Sequence, residues 1–398
     1  MRVLMVAHAF PRWDSDFAGA FILRLAQALV ERGHDVRVIA PADRGDPGPD
    51  AVGGVAVRRV RYASPERETL AYRGTMHTAS ARSPAAALAF AGLLRAFLVA
   101  VEEECAGGHA DVVHAHWWVP GGVAAALARR WGRPLVVTLH GTDVALARSV
   151  PGARYLFRAL VRNAARVTAV SSVLARQAAE ASGLAEESIT VSPMPLAPHP
   201  HPPAPGRSGV VFVGRLTKQK RVGVLLDALS LLAARGLPMD LTVVGDGPER
   251  GAIEERASLP DLAGRVRFTG EVPPEEVPEH LSHARLLVLP SVDEGLGLVI
   301  AEALISGAPV VGARSGGIPD LVTAPYSGLL FPPDDAAALA DSIAEVVTDD
   351  RYLDGAKRAG MALAERLAPA TVAAQFEGVY AQALALTIPL GTRKPDGR

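Results

Sequence analysis

Short apolar runs alternate with stretches of helical periodicity along most of the chain. In the first half, RVLMVA, DVRVIAP, DVVHAH, PLVVTLH and RVTAVS predict buried strands. In the second half, GVVFVGR, DLTVVGDG, RVRFTG, ARLLVLPS and APVVGA do the same. Helical patterns such as FILRLAQALVERGH, GVAAALARRWG and SVLARQAAEASG lie between the strands. This alternation predicts an α/β fold in which helices cover both faces of two parallel sheets.

A proline-rich segment, PMPLAPHPHPPAPG at 193–206, separates the two halves. Such a run holds neither a helix nor a central strand, so it favours an extended linker. We therefore predict an N-terminal domain over 1–195, a linker over 196–206 and a C-terminal domain over 207–369. His199 and His201 lie in the linker without a third ligand nearby, so we expect no metal site there.

Three helices are predicted near the C-terminus, at about 335–348, 350–366 and 370–386. The last one begins after a break at Pro369. We expect this helix, within 370–390, to leave the second domain and pack back on the first.

Composition narrows the class of protein. The 398 residues are 49% hydrophobic and 21% charged with a net charge of −1, which is typical of a soluble globular protein. The single cysteine, Cys105, permits neither a disulfide framework nor a multi-cysteine zinc site, so a cytoplasmic location is expected. The apolar stretch at 84–101 contains Arg95 and falls short of the roughly 20 apolar residues of a membrane span. It predicts an amphipathic helix of a soluble domain.

The densest chemical signal is PSVDEGLGLVIAEALISGAPVV at 290–311. A strand ends, a loop holds Glu294, Gly295 and Gly297, and a helix begins near Leu298. Helix N-termini present free amides that attract phosphate, and glycines allow a ligand to approach the backbone closely. Glu302 lies about one turn into the helix, so two carboxylates could bind the hydroxyl groups on either side of a diphosphate.

A second strand, glycine turn and helix occur in VFVGRLTKQKRVGVLLDAL at 211–229. Arg215 and Lys220 lie around the helix start, where a guanidinium and an ammonium can bracket phosphate oxygens. For Lys218 and Arg221, a solvated basic turn is the preferred interpretation.

These segments resemble the retaining glycosyltransferases of family 4, in which GRLTKQK matches the phosphate loop and EGLGLVIAE the paired-glutamate motif. VVGDGPE, GGIPD, SGLLFPPDD, GHDVRVIAP and LHGTD are similar to further family segments. The resemblance spans nearly the whole chain. It implies the GT-B architecture, two Rossmann-like domains facing each other across a cleft.

The resemblance also implies a metal-independent hexosyltransferase that retains anomeric configuration and uses a UDP- or GDP-linked sugar, with no separate cofactor. Arg215 and Lys220 would bind the diphosphate, Glu302 the ribose and Glu294 the sugar hydroxyls. His140, in the HGTD segment with Asp143, would face the donor sugar. The remaining donor-binding positions implied are Gly19, Gly295, Leu296, Gly297 and Leu298.

The chain departs from the family pattern at several loops. Arg221 stands where glycine is usual, and Asp320 stands where glutamate is common. APYS at 324–327 and SPMPLAP at the start of the linker replace the usual segments. These changes leave the shape of the loops and the identity of the donor sugar open, but they do not alter the charges of the candidate donor-binding residues.

Three other functions remain open. A nicotinamide-dependent oxidoreductase is disfavoured because GDGPERG at 245–251 misses the dinucleotide fingerprint by one residue. A sugar-nucleotide epimerase of the same architecture fits the second domain. A non-catalytic nucleotide-sugar-binding protein is the other alternative, and it is weakened because the candidate site residues are all present: Arg215, Lys220, Glu294 and Glu302.

The acceptor is equally open: a hydroxyl of a glycan, a lipid-linked molecule or a small molecule. Trp117 and Trp118 could stack on a sugar, contact a lipid or belong to the core, and His114 and His116 are similarly ambiguous. Basic residues outnumber acidic ones in the first domain, so peripheral contact with the inner face of the cell membrane is a hypothesis. No nucleic-acid partner is expected.

Overall fold

The computed structural model describes residues 1–46, 48–72, 76, 83–196 and 203–386. The chain forms two compact units. Unit 1 comprises Met1–Pro195 together with Pro369–Arg398, and unit 2 comprises Leu196–Ala368. The predicted linker positions 197–202, including His199 and His201, lie outside the described residues, as does the part of the last predicted helix beyond Leu386.

Unit 1 contains an eight-stranded sheet. Its strands are β1 (Arg2–Val6), β2 (Asp35–Pro41), β3 (Ala51–Val52), β4 (Val55–Val60), β5 (Val112–His116), β6 (Leu135–Leu139), β7 (Arg166–Ala169) and β8 (Ile189–Val191). Their order is β3-β4-β2-β1-β5-β6-β7-β8, and only β3 is antiparallel to its neighbour. The strand order reverses between β1 and β5, where ligands bind in sheets of this kind.

Helices connect these strands in the pattern predicted by the sequence. They are α1 (Ala20–Glu31), α2 (Pro84–Ala106), α3 (Val123–Leu127), α4 (Thr142–Ser149), α5 (Ala153–Asn163) and α6 (Ser172–Ser182). The interior strands β5 and β6 are buried along their whole length, as is typical of parallel strands covered on both faces.

Helix α2 is more apolar than predicted. By length and composition alone it could cross a membrane, with a mean hydropathy of 2.0 over its most apolar window, of which 28% is buried. Leu93 and Phe97 face the core, but Leu88 is 68% exposed and Val99 39% exposed. The expectation that this stretch falls short of a membrane span was therefore wrong by length and composition, and apolar side chains lie on the exposed face of the helix as well.

Unit 2 contains a six-stranded, all-parallel sheet. Its strands are β9 (Ser208–Val213), β10 (Leu241–Val244), β11 (Val266–Gly270), β12 (Ala284–Leu289), β13 (Val310–Ala313) and β14 (Gly328–Phe331). Their order, β11-β10-β9-β12-β13-β14, is that of a doubly wound Rossmann sheet, with its reversal between β9 and β12. The helices are α7 (Val222–Ala234), α8 (Arg250–Ala257), α9 (Val277–His283), α10 (Leu298–Ile305), α11 (Ala336–Thr348) and α12 (Arg351–Arg366).

The last helix, α13 (Pro369–Leu386), belongs to unit 1, as predicted. Phe376 and Tyr380 are fully buried there, and Glu377 accepts hydrogen bonds of 2.7 and 2.8 Å from the Arg32 guanidinium. The chain changes unit after Pro195 and again after Ala368. Beside these two points, the amide of Leu196 donates a hydrogen bond to the carbonyl of Leu367 at 2.9 Å. Leu196 thus clusters with unit 2.

Candidate functional site

Two loops of unit 2 meet at the reversal of its strand order. The first follows β9 and contains Arg215 and Lys220, and the second follows β12 and contains Glu294. The amide of Val292 donates to the carbonyl of Gln219 at 3.0 Å, which ties the loops together. The carboxyl ends of adjacent parallel strands place both loops at one edge of the sheet, so residues 74 positions apart become neighbours.

Lys220 and Glu294 form an ion pair. The Lys220 ammonium donates to Oε1 of Glu294, and the two side chains are 19% and 14% exposed. The structure thus brings a predicted diphosphate ligand and a predicted sugar ligand into direct contact. Arg215 lies at the start of the same loop as Lys220 and is exposed.

Glycines let the loops of unit 2 approach this pair closely. Gly316 has φ 55°, and a Cβ there would lie 2.2 Å from the carbonyl oxygen of Glu294. The amide of Gly317 donates to the same carbonyl at 2.8 Å. The GGIPD segment, noted only as a resemblance in sequence, therefore holds the backbone of Glu294 in place.

The helix that follows the acid loop begins as predicted. Gly297 is its N-cap, with φ 80°, and α10 runs from Leu298. The first amides of any helix have no partner within it and favour an anion. Glu302 is half-buried one turn further on, whereas Leu296 is 7% exposed and belongs to the core. Leu296 could therefore offer a ligand its backbone but little of its side chain.

Arg221, the residue at the usual glycine position, has φ 51° and ψ 34°. This left-handed conformation costs a non-glycine residue about 1–2 kcal/mol. Its guanidinium lies 2.9 Å from Asp334 in an ion pair. The chain thus forms a left-handed turn at this position with an arginine in place of the usual glycine.

In unit 1, His140 follows β6 and lies among aromatic rings. Its ring centroid is 4.4 Å from that of Trp117 and 5.2 Å from that of Phe21. Nε2 of His140 lies 3.2 Å from Nδ1 of His116, so the two imidazoles share a hydrogen bond. Burial, with a smaller contribution from His114 and His8, holds the pKa of His140 well below its usual range. His140 is therefore a neutral imidazole.

A buried chain of polar side chains extends from these histidines to the last helix. His114 shares hydrogen bonds with Tyr380 at 2.8 Å and with Thr138 at 2.7 Å, and Thr138 in turn with Thr168 at 2.6 Å. Burial lowers the pKa of His114 to about 3. His114 and His116 are thus core residues of β5 whose polar atoms link α13 to the end of β6.

Asp143 organises the loop that carries His140. Its Oδ1 accepts hydrogen bonds from the amides of His140, Gly141 and Val144, at 3.1, 2.9 and 3.0 Å. Its Oδ2 is buried and has no hydrogen-bond partner among the described residues. Burial raises the pKa of Asp143 to about 6, although the backbone hydrogen bonds oppose that shift.

Gly19 is the N-cap of α1, where φ is 76° and a Cβ would lie 2.3 Å from the carbonyl oxygen of Ala9. The loop before it is fixed by Asp16, which accepts hydrogen bonds from the amide and Nε of Arg12 at 3.0 and 2.6 Å. Burial alone would raise the pKa of Asp16, but the hydrogen bonds from Arg12 and Ala18 lower it. The close approach of Ala9 therefore requires glycine at position 19, and the binding of the donor by Gly19 stays a prediction.

Sequence reasoning missed two residues beside these predicted positions. His8 follows β1, and its ring centroid is 4.2 Å from that of Trp117. Gly316 abuts Glu294, as described above. No spacing rule marks either residue; the only sequence signals are that His8 follows a strand and that Gly316 belongs to a double glycine. Among the described residues, no group of three or more His, Cys, Asp or Glu is arranged to hold a metal ion.

Comparison with known proteins places both units in known families. Residues 207–349 match the family described as glycosyl transferases group 1, and residues 18–195 match the glycosyl transferase 4-like domain.

The chain is 28% identical to a glycogen synthase of Mycobacterium tuberculosis, an alignment covering 100% of this chain and 97% of the relative. It is 32% identical to a D-inositol 3-phosphate glycosyltransferase of Nocardiopsis dassonvillei, over 83% of this chain and 82% of the relative. The crystal structure of Anabaena HepE in complex with UDP and glucose superposes with a TM-score of 0.72 at 20% identity, covering 96% of this chain and 100% of HepE. The solved structure supports the GT-B fold.

Proposed function

The chain belongs to the group 1 glycosyltransferases, and from that premise we propose that it transfers a hexosyl group from a UDP- or GDP-linked sugar to a hydroxyl acceptor, with retention and without a metal ion. One observation carries the proposal: the cationic loop and the acid loop of unit 2 meet through Lys220 and Glu294. UDP in the HepE complex supports a nucleotide as part of the donor.

The charge distribution suits the departure of a diphosphate. When the bond from the anomeric carbon to the diphosphate breaks, negative charge develops on the leaving oxygen and positive charge on the sugar. The negative charge on the leaving oxygen would be stabilised by Arg215, Lys220 and the amides at the start of α10. Such groups stabilise a transition state when they are held in place before the reaction, and the backbone contacts of both loops provide this.

The ion pair itself suggests how the donor binds. A diphosphate carries more charge than one carboxylate, so it would compete with Glu294 for the ammonium of Lys220. Glu294 would then be free to accept hydrogen bonds from the sugar's hydroxyls. Glu302, one turn into α10, would bind the ribose.

For retention, the acceptor oxygen would attack the anomeric carbon from the face that the diphosphate leaves. The new carbon–oxygen bond replaces the bond to the diphosphate, which takes both electrons and receives the hydroxyl proton. His140, being neutral, would contact the donor sugar as a hydrogen-bonding group rather than as a cation.

The deciding experiment incubates the protein with UDP- and GDP-hexoses and a set of alcohols and sugars as acceptors, with and without EDTA. A glycoside product with the donor's anomeric configuration by NMR, formed equally in EDTA, supports the proposal. An inverted product or loss of activity in EDTA contradicts its mechanistic part.

The same incubation separates the alternatives. An altered nucleotide sugar with no acceptor consumed would indicate an epimerase. Binding of the nucleotide sugar without any turnover would indicate a non-catalytic binding protein.

We also propose a cytoplasmic protein that contacts the inner membrane face through unit 1. Leu88 is 68% exposed on the apolar helix α2, and Arg95 on the same helix is exposed. Sedimentation with anionic vesicles tests this, and we expect Leu88→Asp to reduce binding. Equal recovery of both proteins in the supernatant contradicts the membrane contact.

A further inference from the structure

Helix α5 of unit 1 carries charges of one sign on its exposed side. Arg154, Arg158 and Arg162 follow each other at intervals of four residues, so they form one stripe along the helix. All three are exposed, and the helix contains no acidic residue. The stripe is therefore a row of guanidinium groups on the surface of unit 1.

The charge of this stripe is not neutralised by the chain itself. Arg154 donates hydrogen bonds to the carbonyls of Ala181 and Glu180 at 3.1 and 2.9 Å, and Arg162 donates to the carbonyl of Gly183 at 3.1 Å. Among the described residues, none of the three arginines of the stripe forms an ion pair with a carboxylate. Their positive charge is thus available to a partner.

The neighbouring helices α4 and α6 add to this charge. Residues 142–182 contain six arginines and only two acidic residues, Asp143 and Glu180. Asp143 is buried, whereas Arg148 on α4 and Arg176 on α6 are exposed. A surface with such an excess of one charge attracts a partner of the opposite charge.

Apolar side chains are exposed beside the stripe. Tyr155 is 79% exposed and Leu156 50% exposed, and Val150, just before α5, is exposed as well. The opposite side of the helix is anchored in the core through Phe157, Leu160 and Val161. Helices that combine basic residues with exposed aromatic and aliphatic ones bind at the surface of anionic membranes. A soluble polyanion would use the charge but leave Tyr155 and Leu156 in water.

The start of α5 lies beside the apolar helix α2. Ala87 and Phe90 of α2 line one cavity together with Val150 and Ala153. Leu88, which lies between these two residues of α2 in sequence, is largely exposed. The basic stripe therefore begins next to the part of α2 for which a membrane contact is proposed above.

We propose that α5 docks unit 1 on a membrane that contains anionic phospholipids: Arg154, Arg158 and Arg162 bind the lipid phosphates, and Tyr155 and Leu156 enter the headgroup region. The inference rests on the membrane contact proposed above and identifies the surface and the lipid charge responsible for it. Each arginine close to such a membrane strengthens binding about fivefold.

Sedimentation of the full-length protein with two kinds of vesicle tests the proposal: pure phosphatidylcholine, and an equimolar mixture with phosphatidylglycerol. We expect binding to the mixed vesicles only. Arg158→Glu combined with Arg162→Glu should weaken it about tenfold or more. Arg267→Glu combined with Arg358→Glu is the matched control, because both arginines are exposed in unit 2 and the net charge changes equally. The control should bind like the wild type.

The apolar part of the contact is tested at high salt, where the charges are screened. Tyr155→Ser should weaken the remaining binding to the mixed vesicles. Met361→Ser is its control, because Met361 is similarly exposed, at 76%, but lies in unit 2. An equal effect of these two variants would contradict the insertion of Tyr155.

Equal binding to both kinds of vesicle, or an equal loss in both arginine pairs, would overturn the proposal. Binding to heparin in solution without binding to either vesicle would also overturn it, and would indicate a soluble acidic partner.

The earlier proposals fail separately. If Leu88→Asp weakens binding to the mixed vesicles and the change of Arg158 and Arg162 does not, the contact through α2 stays and the role of α5 is lost. A protein that binds these vesicles through α5 but transfers no sugar keeps the docking surface and loses the transfer reaction.

Discussion

Nδ1 of His116 lies 3.2 Å from Nε2 of His140, so one imidazole must donate and the other accept. Both rings are neutral, because burial lowers the pKa of each well below its usual range. The hydrogen bond therefore couples the tautomers of the two rings, and His116 acts as a positioning residue for His140.

From this relationship we expect His140→Ala to lower kcat by about 10²-fold while leaving nucleotide affinity within about twofold, because His140 belongs to unit 1 and the predicted nucleotide ligands to unit 2. Steady-state kinetics and calorimetric titration with UDP measure the two effects. His109→Ala, a substitution of an exposed histidine of unit 1, is the control. An equal loss of nucleotide affinity would contradict the assigned role.

Lys220→Ala is expected to lower kcat/KM by about 10²–10³-fold, because it removes a charge aimed at the leaving diphosphate. Lys218→Ala, in the same short helical turn, removes the same charge from an exposed position and should change kcat/KM by less than about threefold. Similar kinetics of the two variants would contradict the assignment of Lys220 as a ligand of the diphosphate.

Gly316→Ala should impair the donor site through the backbone of Glu294. Its new Cβ would lie 2.2 Å from that carbonyl oxygen, so the acid loop must move. Gly264→Ala is matched, because Gly264 also has a positive φ, 78°, but no atom lies within 4 Å of its Cβ position. We expect both variants to lose about 1 kcal/mol of stability from backbone strain. Only Gly316→Ala should raise the donor KM, and a normal KM for it would show that the acid loop tolerates the shift.

The stability of unit 1 should fall with acidification below about pH 6.5. His114 has a pKa of about 3 when folded, against 6.5 for an ordinary histidine, so the unfolded chain binds more protons in this window. His116 and His140 act in the same direction. Asp143, with a raised pKa, acts in the opposite direction between about pH 4 and 6 and offsets part of the loss. Urea unfolding followed by tryptophan fluorescence at pH 5 to 8 measures this, and a flat profile would contradict burial of the histidines as neutral rings.

Asp143→Asn should stabilise unit 1 at pH 8 by about 1–2 kcal/mol, since it removes a carboxylate that burial makes costly to ionise while keeping Oδ1. The gain should vanish near pH 4, where the carboxyl is protonated in the folded protein. Tryptophan-monitored unfolding of both proteins at the two pH values tests this. A variant less stable than the wild type at pH 8 would show that the carboxylate itself holds the loop.

The sequence predicts the fold class and the interior strands because parallel strands buried on both faces leave long apolar runs. It does not reveal β3 and β4, because these strands are short or partly polar and lie at one edge of the sheet. It also does not reveal Ile189–Val191, a three-residue strand just before the prolines. Gly328–Phe331 appears in sequence only as part of a family segment.

The candidate site is predicted only in part, for a physical reason. Local patterns place Arg215 and Glu294 at the ends of strands, but contact between Lys220 and Glu294 depends on the order of strands in the sheet. The ring contacts of Trp117 with His8 and His140 depend on tertiary packing, and the sequence allows Trp117 and Trp118 equally to be core or binding residues.

The last helix has a consequence for synthesis on the ribosome. Tyr380 and Phe376 fill the core of unit 1, and Tyr380 completes the hydrogen bonding of His114, yet both are translated after the whole of unit 2. Unit 2 can thus finish folding before α13, the last helix of unit 1, has been synthesised. A nascent chain released before Pro369–Leu386 is synthesised would expose to chaperones and proteases the surface of unit 1 on which this helix packs.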